Sequence, residues 1–508
     1  METSPPTIAG YRRYRLLEII PGAAVWLTFV LAIGLSFVRP LWVIYFIIAY
    51  DLLWLMRICY MLFYMIVSFR RYRATCAVNW RARLDELPAW RDYVHLVFIP
   101  THREPYEVLR TTFQALARNE FPLERFIVVL AGEERDGKNF LDIARQLEAE
   151  FGHCFMRLLV TVHPSNLPGE VAGKGANIAW AGHRAQEVID QLGLPYGKVI
   201  VSSFDSDTCV HRQYFTYLSY VYGTHPRPTR ASYQPLALFN NNVWDAPAIT
   251  RIISYSTTFW LMTEQARPER LFTFSSHSMS FQALVDVGFW QNDIVTEDSR
   301  ICLQCLMEYD GDYEVVPLFM PVSMDVVVGS SFWRTLKAQY VQQRRWAYGV
   351  ENFPYMVWNF ARNPRMPLVK KIRYIFNQFE GVYSWATAPI LILLLGRLPL
   401  VVANLRHDPA IVTQVTPDIL RWLMTAAMVG IIIQATMSAT LLPQRPRHLS
   451  LWRYPVFILQ WFLVPVTLIV FGSIPAAEAQ TRLMLGKYLG FSVTEKVRKQ
   501  GAGVPESS

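Results

Sequence analysis

Cysteine is scarce in this chain and charge is thin. Its 508 residues include 6 cysteines, and Asp, Glu, Lys and Arg together make up 18%. Six cysteines over such a length do not form the dense framework of a disulfide-stapled secreted domain. Cys302 and Cys305 form a lone CxxC. No second CxxC or paired His follows, so zinc and redox chemistry lack support. The flanking run Arg300 to Met307 reads instead as an amphipathic helix that buries both thiols. No internal repeat occurs, which excludes solenoids and arrays, and low complexity is confined to the short termini. A soluble enzyme of this length would carry more charge.

What is abundant is apolar side chain, 52% of the residues, gathered in blocks towards the two ends. The net charge of +9 falls beside those blocks. Arg12, Arg13 and Arg15 precede the first, and Arg70, Arg71 and Arg73 follow the second. Basic flanks of apolar blocks mark the cytoplasmic side of a membrane, so no nucleic-acid partner is expected. Five regions follow: a cytoplasmic N-terminal segment at 1–22, a hairpin of two spans at 23–67, a soluble domain at 68–365, an interfacial helix with about three spans at 366–475, and an amphipathic segment and tail at 476–508. Ala23 to Val38 lacks a small-residue cleavage site and is followed at once by a second span, so it reads as an uncleaved anchor. Arg39-Pro40 makes a tight turn. Leu41 to Val67 would reach about 40 Å as a helix, longer than a hydrocarbon core of roughly 30 Å, so it must tilt or project.

In the C-terminal third, spans are expected near 382–404, 419–442 and 454–474. The loop Pro443 to Arg453, with Arg445, Arg447 and Arg453, should be cytoplasmic and residues 404–418 outside. Three spans would then leave a basic tail (Lys487, Lys496, Arg498, Lys499) outside, so five and six spans both stay open. Charges inside the second block, Asp51 and Arg57, are costly at membrane depth. Two readings stand: the wall of a sugar path with Trp42, Tyr45, Trp54 and Tyr60, or a snorkelling Arg57 with Asp51 paired elsewhere. Glu380 is open to the same pair of readings.

Between the membrane blocks, strand-like and helix-like runs alternate. Strands are expected at Tyr93–Ile99, Arg125–Ala131, Phe155–His163 and Lys198–Phe204. A helix is expected over Glu107–Asn119 with Val108, Leu109, Phe113 and Leu116 on one face. Such alternation implies a mostly parallel sheet with helices on both faces.

Three clusters could carry chemistry. The run Val199 to Phe204 ends in Asp205-Ser206-Asp207. Ligands of open α/β sheets bind at the carboxyl ends of strands, and two carboxylates there suit a hard divalent cation that also meets substrate phosphates. Thr296-Glu297-Asp298 opens a helical run, with Thr296 as a cap and a carboxylate suited to act as general base. In Gln342-Gln343-Arg344-Arg345-Trp346, helical spacing puts Gln342, Arg345 and Trp346 on one face. Arginine suits a phosphate and tryptophan a sugar ring. Each cluster also has a bland reading: a solvated turn, an acid-decorated helix start, an interfacial aromatic-basic helix. His277 reads as an ordinary polar loop residue.

Asp-x-Asp, then Thr-Glu-Asp, then Gln-x-x-Arg-Trp, then apolar spans, resembles the membrane-bound family-two glycosyltransferases, of which cellulose, chitin and hyaluronan synthases are the best known. The resemblance covers about 93–350. Phe98 to Pro105 looks like that family's first strand and nucleotide-facing loop, Lys174-Gly175-Ala176-Asn177 like its Lys-Gly segment, and Phe274 to Phe281 like its acceptor-side strand. It implies an α/β nucleotide-diphospho-sugar transferase domain inserted between transmembrane helices. It further implies that Asp205 and Asp207 hold magnesium or manganese and the donor diphosphate, and that the catalytic carboxylates are Asp298, as base, and its neighbour Glu297. Gln342, Arg345 and Trp346 would bind the diphosphate and the acceptor end. Thr101 and Glu104 would lie near the nucleotide, and Lys174 near its phosphates. Relatives carry an aspartate after the second strand; here the chain has Gly132-Glu133-Glu134, and Glu133 either reaches the nucleotide or sits in an exposed turn.

The expected activity is inverting, metal-dependent transfer from a nucleotide-sugar to a growing polysaccharide, since one base and no second nucleophile favour direct displacement. The expected partners are the donor, a polysaccharide or glycolipid acceptor, membrane lipid and an export partner. The expected place is the inner or plasma membrane, catalytic domain in the cytoplasm. Alternatives are single addition to a lipid carrier and, from another class, an inactive scaffold or a transporter.

Overall fold

The computed structural model describes residues 8–407, 410–446 and 449–490. Arg447 and the tail residues Lys496, Arg498 and Lys499 lie outside them. Eight strands form one sheet: β1 (Val94–Pro100), β2 (Phe126–Glu133), β3 (Arg157–His163), β4 (Val199–Ser203), β5 (Cys209–Val210), β6 (Ala231–Phe239), β7 (Ser278–Ser280) and β8 (Glu314–Met324), in the order β3-β2-β1-β4-β7-β6-β8-β5. The pairs β2–β3, β1–β2, β1–β4 and β6–β8 are parallel, while β7 runs antiparallel to β4 and β6 and β5 antiparallel to β8. The expected strands are found with their ends shifted by one or two residues. Every residue of β1, β2 and β4 is buried, as strands covered on both faces require. Each buried Val, Leu, Ile or Phe contributes roughly 1.5–3 kcal/mol.

The helix Tyr106–Ala117 buries Val108, Leu109, Phe113 and Leu116, the expected face. Cys302 and Cys305 are buried on the helix Glu297–Glu308. The stretch Phe274 to Phe281 is shorter as a strand than its family counterpart suggested. Ser276 adopts φ +67°, which interrupts extended pairing, and Phe281 starts a short helix, leaving only Ser278–Ser280 in the sheet.

Four helices are long and apolar enough to cross a membrane, or five if the bent pair Leu368–Leu393 and Leu395–Leu405 counts as one span. That pair bends by 42° within the stretch where an interfacial helix and a span near 382–404 were expected. The first two are α1 (Ile8–Val38) and α2 (Pro40–Cys76), joined through Arg39. The others run over Ile411–Thr440 and Arg453–Met484. The surplus length of α2 goes into projection: Met65 and Tyr72 join the core of the sheet domain, and Arg71 lies over the Phe319 ring.

Arg57 stands 17 residues past Pro40, ~26 Å along the helix axis, close to where a bilayer core would end. It ion-pairs with Glu380, which also accepts from Arg270 Nη2 at 2.9 Å. This triangle ties α2, the helix Leu368–Leu393 and the sheet domain together. Trp42 and Tyr45 are 68% and 59% exposed. Asp51 is buried, and its Oδ1 finds no hydrogen-bond partner among the described residues.

Candidate active site

Strands β1, β2, β4, β6 and β8 all point the same way, because β7 reverses between β4 and β6. Their carboxyl ends therefore form one edge. Polar residues follow at that edge: Thr101 after β1, Glu133 ending β2, Asp205 after β4, Asn241 after β6 and Asp325 after β8. Main-chain bonds hold it together, with Phe204 N donating to Phe98 O at 3.0 Å and Thr101 N to Ala131 O at 2.8 Å.

The two aspartates after β4 differ in setting. The Asp205 side chain is partly open, 29% exposed, whereas Asp207 is buried. Asp207 Oδ2 accepts from Asp325 N at 2.8 Å, and Asp207 O accepts from Asn241 Nδ2 at 3.0 Å. Asp205 N donates to Thr208 Oγ1 at 3.1 Å, and that hydroxyl meets Ser276 Oγ at 3.0 Å. The turn is thus pinned from both sides.

Lys174 opens the helix Lys174–Gln191 and reaches into the middle of the cluster. Its Nζ donates to Asp205 Oδ1 at 2.8 Å and to Asp298 Oδ2 and Oδ1 at 2.8 and 2.9 Å, and lies 4.0 Å from Glu297 Oε1. Burial is the largest single influence on this ammonium and pulls its pKa down. The charges of Asp205, Asp298 and Glu297 outweigh it, so the pKa ends above the usual lysine value. The neighbouring Gly175 has no room for a side chain: a Cβ would fall 2.9 Å from Gln291 O and 3.2 Å from Glu297 Cβ.

Glu297 and Asp298 begin the helix Glu297–Glu308. Thr296 holds the N-cap position, but its hydroxyl donates to Glu351 Oε1 at 2.5 Å and leaves the helix backbone alone. The expected side-chain cap is therefore absent, because the Glu351 carboxylate competes for the hydroxyl. Burial pushes the Glu297 carboxyl up to about 8, and the Asp298 charge adds to this while Lys174 and Arg345 oppose it. The Asp298 side chain is 21% exposed. Its main-chain carbonyl accepts from Thr273 Oγ1 at 2.6 Å. His277 is fully buried, donates from Nδ1 to Phe274 O at 2.9 Å and stands 3.7 Å from Asp298 Oδ1. Burial pulls its pKa down and the Asp298 charge only partly restores it. His277 is thus a buried loop residue that packs beside Asp298.

On the helix Phe332–Ala347, Gln342 is buried and takes Gln339 Nε2 at 3.2 Å. Arg345 acts electrostatically on Glu297, and the Trp346 ring lies 6.2 Å from Phe239 at the end of β6. Arg344 points away, to Glu478 Oε1 at 2.7 Å. Thr101, Glu104 and Glu133 are buried along β1 and β2. Glu133 ion-pairs with Arg135 and is no exposed turn residue. Asn177, one turn from Lys174, joins this group to the carboxylates through Nδ2 to Ala131 O at 2.8 Å.

Thr273, His277, Asn241 and Asp325 were not singled out from sequence as site residues. For Asn241 and Asp325 a signal existed, since Asp325 follows directly on a hydrophobic strand and Asn241 comes two residues after one. Among the described residues, no three His, Cys, Asp or Glu side chains converge as a metal cage. Magnesium or manganese would thus rest on one or two carboxylates and be completed by substrate oxygens and water, an arrangement natural to a hard ion.

No curated protein matches the chain. Among solved structures, mannosyltransferase PcManGT from Pyrobaculum calidifontis, in complex with GDP-Man and Mn2+, aligns at TM-score 0.46 and 12% identity over 83% of this chain and 99% of that one. S. aureus TarS 1-349 in complex with UDP-GlcNAc aligns at TM-score 0.32 and 12% identity over 69% and 93%. The model of glycosyl transferase family group 2 matches residues 200–474, more than half of the chain and the whole stretch from Asp205 through Trp346 into the apolar helices. The chain is a glycosyltransferase and belongs to glycosyl transferase family group 2.

Proposed function

We propose that this enzyme is an integral-membrane transferase that moves a sugar from a nucleotide-diphosphate donor onto a growing polysaccharide, with inversion at the anomeric carbon. The observation that carries the reading is the meeting of Asp205, Lys174 and Asp298 at the carboxyl edge of the sheet. Asp298 is the base: its carboxylate is partly open, and it removes the proton of the acceptor hydroxyl as that oxygen attacks. Glu297 carries a proton near neutrality and so holds no basic lone pair for the same task. Arg345 and Lys174 supply positive charge for the diphosphate, and Trp346 an apolar face for the acceptor sugar. A divalent cation held by Asp205 and Asp207 would neutralise charge on the leaving diphosphate. Thr101, Glu104 and Glu133 line the nucleotide side. The basic flanks of α1 and α2 support a domain facing the cytoplasm.

The test is a donor panel. Purified protein is given UDP-, GDP- and ADP-sugars with magnesium or manganese, and release of nucleoside diphosphate is followed. One donor should be turned over, and Asp298→Asn should lower that turnover by about 10²-fold or more. Near-normal turnover in a folded D298N variant overturns the assignment of the base. Product length separates chain growth, seen as a ladder, from a single addition to a lipid carrier.

A further inference from the structure

We infer that Lys174 is an exchangeable internal cation that keeps the base Asp298 engaged until a donor with its divalent metal arrives. The inference rests on the nucleotide-sugar reading above and concerns binding order at that site.

An ammonium has three donors. In this structure three short contacts use them: one to Asp205 and two to Asp298. The two carboxylates have different assigned tasks, one beside the donor diphosphate and one beside the acceptor hydroxyl. A single cation whose side chain is 10% exposed holds both. While Asp298 is bonded through both oxygens to Lys174, the ammonium favours the ionised carboxylate and opposes its taking a hydroxyl proton. Such a pair is costly to break without replacement.

A donor supplies the replacement. Its diphosphate is a new anion within the reach of a flexible lysine, and a divalent cation at Asp205 repels the ammonium already there. Both effects move Lys174 off the carboxylates towards the phosphates and leave Asp298 free. The base is then released only when a donor is in place, so donor precedes acceptor. Gly175 keeps the arrangement tight, because any side chain there would push Glu297 away from Lys174.

The experiment measures Mn2+ binding by electron paramagnetic resonance, without nucleotide and with UDP, GDP, ADP or CDP. Without nucleotide, Lys174→Gln should bind Mn2+ about tenfold tighter than the unmodified protein, the worth of one partly buried ion pair. The K174Q/D205N double variant should lose that gain. Should K174Q not fold, K174Q/D298N leaves fewer unpaired carboxylates and should show the same gain. Equal Mn2+ affinity in K174Q and the unmodified protein, with both binding Mn2+ and a nucleoside diphosphate together, overturns the inference and leaves the donor reading standing. If none of the four nucleotides tightens Mn2+ binding in any form, the donor reading fails and this inference with it.

Discussion

Glu297→Gln isolates one buried proton. Glu297 is fully enclosed, and burial together with the Asp298 charge raises its carboxyl from 4.5 to about 8 in the folded protein. An unfolded chain would titrate near the ordinary value. Between pH 4.5 and about 8, then, the folded state holds a proton that the unfolded state has released. Fewer protons in the unfolded state mean that stability falls as pH rises, by about 1.4 kcal/mol per pH unit. The stabilisation is complete below 4.5 and gone above about 8, a total of roughly 5 kcal/mol. Glutamine keeps the shape of the protonated acid and has no charge to develop. In thermal melts of detergent-solubilised protein from pH 5 to 8.5, E297Q should gain steadily on the unmodified enzyme. Sugar transfer at pH 7 should largely survive in E297Q. Parallel melting curves, or a well-folded E297Q without transfer, would refute the division of roles between Glu297 and Asp298.

Gly175→Ala would force a Cβ to 2.9 Å from Gln291 O; overpacking there should cost about 1–3 kcal/mol, read as a lower melting temperature together with reduced transfer. Thr273→Val removes the hydroxyl that holds the Asp298 carbonyl at 2.6 Å. That carbonyl keeps its main-chain partner within the helix Glu297–Glu308, so losing this one hydrogen bond should cost about 0.5–1.5 kcal/mol and lower kcat more than it changes KM for the donor. Glu380→Gln leaves Arg57 and Arg270 facing each other across the junction of α2 with the sheet domain. The residues are about a quarter exposed, so the loss should be about 1–2 kcal/mol, short of a fully buried pair, and should appear as a lower melting temperature.

The alternation of strands and helices was legible because β1, β2 and β4 are mostly apolar runs, broken only by His95 in β1 and by Ser202 and Ser203 at the end of β4, and closed by Pro100, Glu133 and Asp205. The short β7 was not, since a left-handed Ser276 trims it and three residues leave no periodic signal. The apolar blocks announced the long helices. Their boundaries were harder, because hydropathy ends at Val67 while the α2 backbone runs on to Cys76, held by packing against the domain through Met65 and Tyr72. The bend near Leu394 likewise depends on tertiary packing: Gly396 sits against Ile47 of α2, where a Cβ would come within 3.2 Å.

For the site, residue types could be read from sequence but their counter-ions could not. Asp205 and Lys174 are 31 residues apart, and Lys174 and Asp298 are 124 apart. Motif spacing names each member and says nothing of which cation faces which carboxylate. The same limit explains Glu297 and Asp298, adjacent in the chain and alike in chemistry. One is buried against Gly175 and keeps its proton, while the other opens by a fifth of its surface towards the edge of the sheet. Environment separates two neighbouring acids into a neutral support and a charged base. That separation follows from where Gly175 lets the two helix starts meet, which is why a glycine with no chemistry of its own belongs to the catalytic argument.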